Sequence, residues 1–229
     1  KDSFSLKLGV KVKLNEGDFV KLNYTGYLKS NNFCIDTTIE EIAKKQNIFS
    51  KEFKYGPVTV CIGKNNILNG IDKNLSDKDE KESFELELEP KEAFGEKNNN
   101  LASVPFNQFK ANKVNVQIGD QIMYNEKPAF VKFVNNRIVM LDFNHPYAGE
   151  IINYKIELLG KVEDKKNQFI ALVINRLNFN EEMFSVELND NIINFTINEK
   201  ELPKQFQDEF EKYVKESIEI EKINYSFKK

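Results

Sequence analysis

Tryptophan is absent from the 229 residues, histidine occurs once, at His145, and cysteine twice, at Cys34 and Cys61. A lone histidine removes most metal sites. Standing before Pro146, it reads as a turn residue with a satisfied ring nitrogen. The two cysteines lie outside any Cys-x-x-Cys spacing and make no disulfide framework, so they are expected as buried thiols in a reducing, cytoplasmic compartment. Apolar runs stop at four or five residues, against about 20 for a bilayer span. Lys and Arg total 33 against 36 Asp and Glu, a net charge of −3 that offers no polybasic surface to nucleic acid. The chain starts at Lys1 without Met, so processing or trimming ahead of it is expected.

What the sequence does hold is 40% hydrophobic residues, with 19 Phe among its aromatics. That is enough for compact cores, and the length allows one to three domains. Ile152, Tyr154, Ile156 and Leu158 alternate with Asn153, Lys155 and Glu157, the period of a strand with one dry face. The nearest similar pattern is Phe84-Glu85-Leu86-Glu87-Leu88-Glu89. If the two pair, the stretch from about Asn98 to Phe143 is an insertion.

Upstream, residues 1–13 alternate weakly and suggest an edge strand, and Phe19 to Leu28 reads as a strand. Ser30-Asn31-Asn32 turns the chain into Phe33-Cys34-Ile35-Asp36. Thr38-x-x-Glu41 has capping-box spacing, predicting a helix from Ile39 to Gln46. Val58 to Ile62 is a further strand, and Ile67 to Leu75 a loop entering one short helix with Ile71 and Leu75 inside. In the insertion, Pro105 at a first helical position predicts a turn or two of helix, followed by strands over Val116–Tyr124, Ala129–Val134 and Arg137–Phe143. Beyond Lys161, Asp164 is placed to cap a helix carrying Phe169, Ile170, Val173 and Ile174. A hairpin follows around Asn189-Asp190-Asn191, then a helix opened by Pro203 with Phe206, Phe210, Tyr213 and Val214 on one stripe, and a last strand over Ile220–Phe227. These parts are expected to form a separate α-β-β-α-β domain, since its helices and strands can bury one another.

Six motifs stand in order: Val20-Lys21-Leu22-Asn23-Tyr24-Thr25-Gly26-Tyr27, Ile35-Asp36-Thr37-Thr38, Tyr55-Gly56-Pro57-Val58, Gly63-Lys64-x-x-Ile67-Leu68-x-Gly70-Ile71, Ala93-Phe94-Gly95 and Asn144-His145-Pro146-x-Ala148-Gly149. Together they resemble the FK506-binding-protein (FKBP) type of peptidyl-prolyl cis-trans isomerase, and more closely its SlyD-like branch, in which a flap is replaced by an inserted chaperone module. The trailing domain is similar to that of long archaeal members. The resemblance implies an α+β fold: a half-wrapped antiparallel sheet with a short helix (1–98 and 144–162), a small β insertion in the flap (99–143) and a C-terminal α-β-β-α-β domain (163–229). It also implies a substrate pocket. Tyr24 would be a wall and hydroxyl donor, Ile35 a second wall, Asp36 the polar rim, Val58 the far side and Ile71 the floor. Ile67 and Leu68 would offer backbone groups to an extended chain, and Phe94, Tyr147 and Tyr154 would close the pocket. Tyr24, Asp36, Phe94 and Tyr154 are the catalytic candidates. Ile35 and Ile71 stand where many members have aromatic residues, Phe94 where a Tyr is frequent, and Asn69 where a Pro is common.

Rotation about an X-Pro bond needs neither covalent chemistry nor a cofactor, in keeping with a sequence that has no nucleophile-base pair. Asp36 could steady the twisted carbonyl, orient Tyr24, or merely cap the next helix. The expected partners are unfolded or nascent proline-containing polypeptides, with self-association through the C-terminal domain as a further expectation and no nucleic acid or membrane. The competing expectation is a holdase chaperone or assembly factor that keeps this fold with little or no isomerase activity.

Overall fold

A computed structural model describes residues 12–198 and 201–228. The edge strand expected over residues 1–13 falls almost wholly outside them; at its end, Lys13 makes a single bridge to Asp79. In chain order, the first elements are β1 (Phe19–Leu28), β2 (Cys34–Thr37), α1 (Glu40–Lys45), β3 (Val58–Cys61), α2 (Asn69–Lys73) and β4 (Ser83–Leu88). Then come β5 (Leu101–Pro105), α3 (Phe106–Ala111), β6 (Gln121–Tyr124), β7 (Lys127–Val134) and β8 (Ile138–Asp142). The chain ends with β9 (Ile152–Lys161), α4 (Lys165–Leu177), β10 (Phe184–Asn189), β11 (Ile192–Ile197), α5 (Lys204–Lys215) and β12 (Lys222–Phe227). Two compact units result: one runs up to Leu88 and resumes at Ile152, the other is Glu89–Ile151.

The first unit is built on a five-stranded antiparallel sheet in which β1 is central. One side of β1 pairs with β9 along its length; the other pairs with β3 at its start and β2 at its end. Strand β4 lies beyond β9, with Leu88 opposite Ile152, so the chain leaves the sheet and re-enters it across one register pair. The alternation in β9 is strict, Ile152, Tyr154, Ile156 and Leu158 being buried and Lys155 and Glu157 exposed. Helix α2 contributes Ile71, 1% exposed, to the core. The loop before α2 is fixed by Asp72, whose carboxylate accepts from the N–H of Gly63 at 2.9 Å and of Asn65 at 2.8 Å.

Helix α1 forms where expected, but without its capping box. Its N-cap is Ile39, with no side-chain cap. The Thr38 hydroxyl is used elsewhere, accepting from the Tyr24 N–H at 3.0 Å and donating to Asn23 Oδ1 at 3.0 Å. Asp36 does not cap the helix either, since the Ile39 N–H is taken by the Thr37 hydroxyl at 3.1 Å.

Within the same unit the C-terminal elements form a three-stranded sheet, β10-β11-β12, in which β11 and β12 are parallel. Asp164 caps α4, accepting from Asn167 N–H at 2.9 Å. These elements do not enclose a core of their own. Phe169, Phe195, Phe210 and Val214 share one apolar cluster with Phe19 of β1 and Cys61 of β3. Helical stripes show which side of an element is dry, not whose surface will cover it. Phe206, placed on the α5 stripe by its spacing, is 41% exposed, and Gln207 is buried instead, its amide nitrogen donating to the Leu202 carbonyl at 2.7 Å.

The Glu89–Ile151 unit carries a four-stranded sheet ordered β5-β8-β7-β6 around Val104, Phe109, Val116, Ala129, Val131, Val139 and Leu141. Strand β5 was not apparent in the sequence, which placed Val104 at the start of a helix; Val104 ends up inside the strand and Pro105 becomes the N-cap of α3. The strand expected over Val116–Tyr124 is only its second half. Gly119, at φ 96, and Asp120, whose carboxylate accepts from the Gln117 N–H at 2.7 Å, turn the first half away. The β6–β7 hairpin is tighter than the four-residue turn read from the sequence, because Asn125 and Glu126 both take positive φ, 49 and 62, and Lys127 and Pro128 belong to β7.

Candidate active site

Three strands place the central candidates in one row. Gly26 of β1 is the register partner of Asp36 on β2 and of Tyr154 on β9. Cross-strand partners share a face of the sheet, and Tyr24, two residues along β1, shares it too. Glycine in the middle leaves a dent. A Cβ built at position 26 would stand 2.6 Å from Tyr154 Cε1, so the Tyr154 ring occupies the space a side chain would fill. Tyr24 and Tyr154 meet edge to face, centroids 5.9 Å apart at 69°. The Tyr24 hydroxyl donates to Asp36 Oδ2 at 2.9 Å.

The electrostatics follow from burial. Desolvation raises the Asp36 pKa above the usual carboxylate value, and the hydrogen bonds from the Tyr24 hydroxyl and the Thr37 N–H oppose only part of that. Burial, then the neighbouring Asp36 charge, keeps both phenols protonated well above the ordinary tyrosine range. Tyr154 is 1% exposed, and among the described residues its hydroxyl makes no hydrogen bond. The backbone on either side is locked by threonines: Thr25 and Thr37 hydroxyls lie 2.8 Å apart, Thr37 donates to the Tyr24 carbonyl at 3.2 Å, and the Thr38 N–H donates to the same carbonyl at 3.0 Å. Sequence reasoning quoted Gly26, Thr25 and Thr37 as parts of motifs and gave them no role, and it read Thr38 only as a helix cap.

The other candidates in this unit are placed as follows. Ile35 is half-buried beside Asp36 on β2, Val58 opens β3 opposite Leu22, and Ile71 is a buried residue of α2. Ile67 and Leu68 lead into α2, where the Leu68 carbonyl accepts from Ile71 and Asp72. Among the described residues, neither the Ile67 nor the Leu68 N–H donates to a protein acceptor.

Phe94 and Tyr147 belong to the Glu89–Ile151 unit. There they form a three-ring cluster with His145. Phe94 and His145 stack at 4.3 Å and 3°, and Tyr147 lies 5.7 Å from Phe94 and 5.6 Å from His145. His145 Nδ1 accepts from the Tyr147 N–H at 3.2 Å, and loss of solvent lowers its pKa. The stacking of His145 on Phe94 had no signal in the sequence. Among the described residues, no group of three or more His, Cys, Asp or Glu side chains is placed to hold a metal ion.

Residues 10–116 match the family model of the FKBP-type peptidyl-prolyl cis-trans isomerase. A short-type peptidyl-prolyl cis-trans isomerase of Methanocaldococcus jannaschii is 28% identical over 146 residues, 63% of this chain and 92% of the relative. A probable FKBP-type 16 kDa isomerase of Pseudomonas fluorescens is 29% identical over 47% of this chain and 74% of its own length. The FKBP-type isomerase SlyD of Helicobacter pylori is 29% identical over 50% of this chain and 64% of its own. The ordered motifs, the antiparallel sheet and these matches agree: this chain is similar to the FKBP-type peptidyl-prolyl cis-trans isomerases.

Proposed function

We propose that the protein catalyses X-Pro bond rotation in unfolded or partly folded polypeptides, without covalent chemistry, on the sheet face occupied by Tyr24, Asp36 and Tyr154. The observation that carries this reading is the Tyr24–Asp36 hydrogen bond on one sheet face beside the Tyr154 ring packed over Gly26, with two backbone N–H groups, at Ile67 and Leu68, that no acceptor among the described residues engages. Amide resonance sets a barrier of roughly 18–20 kcal/mol. Twisting the bond localises the nitrogen lone pair and reduces charge separation, so a site poor in water favours the twisted state. Lowering the barrier by about 6 kcal/mol would quicken the step by roughly four decades. Val58, Ile71 and Ile35 supply the apolar lining, Ile67 and Leu68 hold the extended chain, and Asp36, poorly solvated, orients the Tyr24 hydroxyl.

The Glu89–Ile151 unit is proposed to hold unfolded segments. Ile118 and Met123 are 64% and 68% exposed, unusual for such large apolar side chains. Beside Ile118 lies a cavity of about 310 Å³ lined in part by Phe130, Val131 and Pro146. Holding a client there raises its local concentration, so weak binding is sufficient. Cys34 and Cys61, both buried and free, support a reducing, cytoplasmic setting.

A prolyl-limited refolding assay, run beside a short prolyl tetrapeptide assay, tests both parts. Wild-type protein should accelerate both reactions and Asp36→Ala should lose most of that rate. Equal, negligible rates for the two proteins would leave only the holdase reading.

A further inference from the structure

We propose that Tyr213 of α5 is a positioning residue for the segment Asn66–Leu68, so that the C-terminal elements act on substrate binding without touching the substrate. The inference rests on the isomerase reading above and extends it to a part of the chain that reading leaves without a role. Asn66 is the link. The Cys61 N–H can only donate, so Asn66 Oδ1 must face it, which it does at 3.0 Å. The amide nitrogen is thereby turned the other way, and it donates to the Tyr213 hydroxyl at 3.0 Å.

Tyr213 is itself held in place. Lys64 Nζ lies 6.0 Å from its ring centroid and the Arg176 guanidinium 5.4 Å, the geometry of cation–π attraction on a half-buried ring. A second tie anchors the same neighbourhood from α4, where Asn175 Nδ2 donates to the Thr59 carbonyl, next to Val58, at 2.8 Å. Asp72 fixes the middle of the β3–α2 loop from within. The loop's exit is fixed by Asn66, and Asn66 is fixed by Tyr213. The peptide plane joining Asn66 to Ile67 carries the Ile67 N–H, so any rotation at Asn66 re-aims a donor that the substrate chain is proposed to use.

Tyr213→Phe in the full chain keeps the ring and its cations and deletes only the hydroxyl. The expected result is a KM for a short prolyl peptide raised about three- to ten-fold, the scale of one hydrogen bond, with kcat nearly unchanged. The backbone amide NMR signals of Ile67 and Leu68 should shift while the thermal midpoint moves by no more than a few degrees. Asn66→Ala, which also removes the acceptor of the Cys61 N–H, should give at least the same KM rise, and the double variant should be no worse than Asn66→Ala alone. Unchanged KM with unmoved amide signals at Ile67 and Leu68 overturns the proposal, as does a double variant whose KM rise is the product of the two single rises. Should the wild-type protein turn over no peptide, the isomerase reading falls by itself, and the two amide signals then decide the positioning role: moved in Tyr213→Phe upholds it, unmoved ends it.

Discussion

A methyl group at position 26 has nowhere to go, because the Tyr154 ring already lies 2.6 Å from where it would sit. Gly26→Ala should therefore force that ring off its place, costing about 1–3 kcal/mol of stability by overpacking and most of the isomerase rate. Urea unfolding and the tetrapeptide assay measure the two, and a variant with wild-type values in both would mean the dent is dispensable. Tyr24→Phe removes the donor to Asp36 and should cost about 1–2 kcal/mol, with a lower turnover rate. Asp36 also leaves a signature in pH. Its folded pKa lies above the ordinary value of 3.8, so the folded state binds the proton more tightly than the unfolded chain. Stability from this group is fully present below the ordinary value and is lost as pH rises through the folded pKa. Asp36→Asn should flatten that decline in a urea-midpoint series through the acid range; an unaltered slope would assign it to other groups. That Tyr24, Asp36 and Tyr154 come together on one sheet face was legible from the order of several short motifs. Gly26 was not, since a ring leaning across from the neighbouring strand leaves no mark beside the glycine it displaces.

Strands with one wet face announce themselves, and β4 and β9 were legible for that reason, whereas the register that sets Leu88 opposite Ile152 was not. Short elements whose ends serve two masters were not. Pro105 closes β5 and caps α3, so the strand before it looked like a helix start. Thr38 has the spacing of a cap, yet its hydroxyl is held by β1. The Glu89–Ile151 sheet rests on a small cluster, with Val139 and Leu141 of β8 fully buried at its centre. Leu141→Ala should cost about 2–5 kcal/mol there, enough to unfold so small a core. Proteolytic nicking confined to residues 89–151, with tetrapeptide turnover retained, is the expected pattern. Nicking spread evenly over the whole chain would show that this core does not stand by itself.

At the level of the whole chain, Phe19 and Cys61 are covered by side chains that arrive more than a hundred residues later, among them Phe169, Phe195 and Phe210. A chain ended after Lys161 should expose both and melt well below the full-length protein, or aggregate; an unchanged thermal midpoint would make the shared cluster energetically idle. No amphipathic pattern in α4 or α5 could have revealed this, because periodicity describes a surface and not its neighbour. The adjacency of Leu88 and Ile152 has a kinetic meaning as well. Strand β1 waits for β9, its longest partner, until the intervening stretch has been synthesised, and joining distant segments of a floppy chain is entropically slow. Folding of the contiguous Glu89–Ile151 stretch first would shorten that search and make the segment a splint for bringing β9 to the nascent sheet.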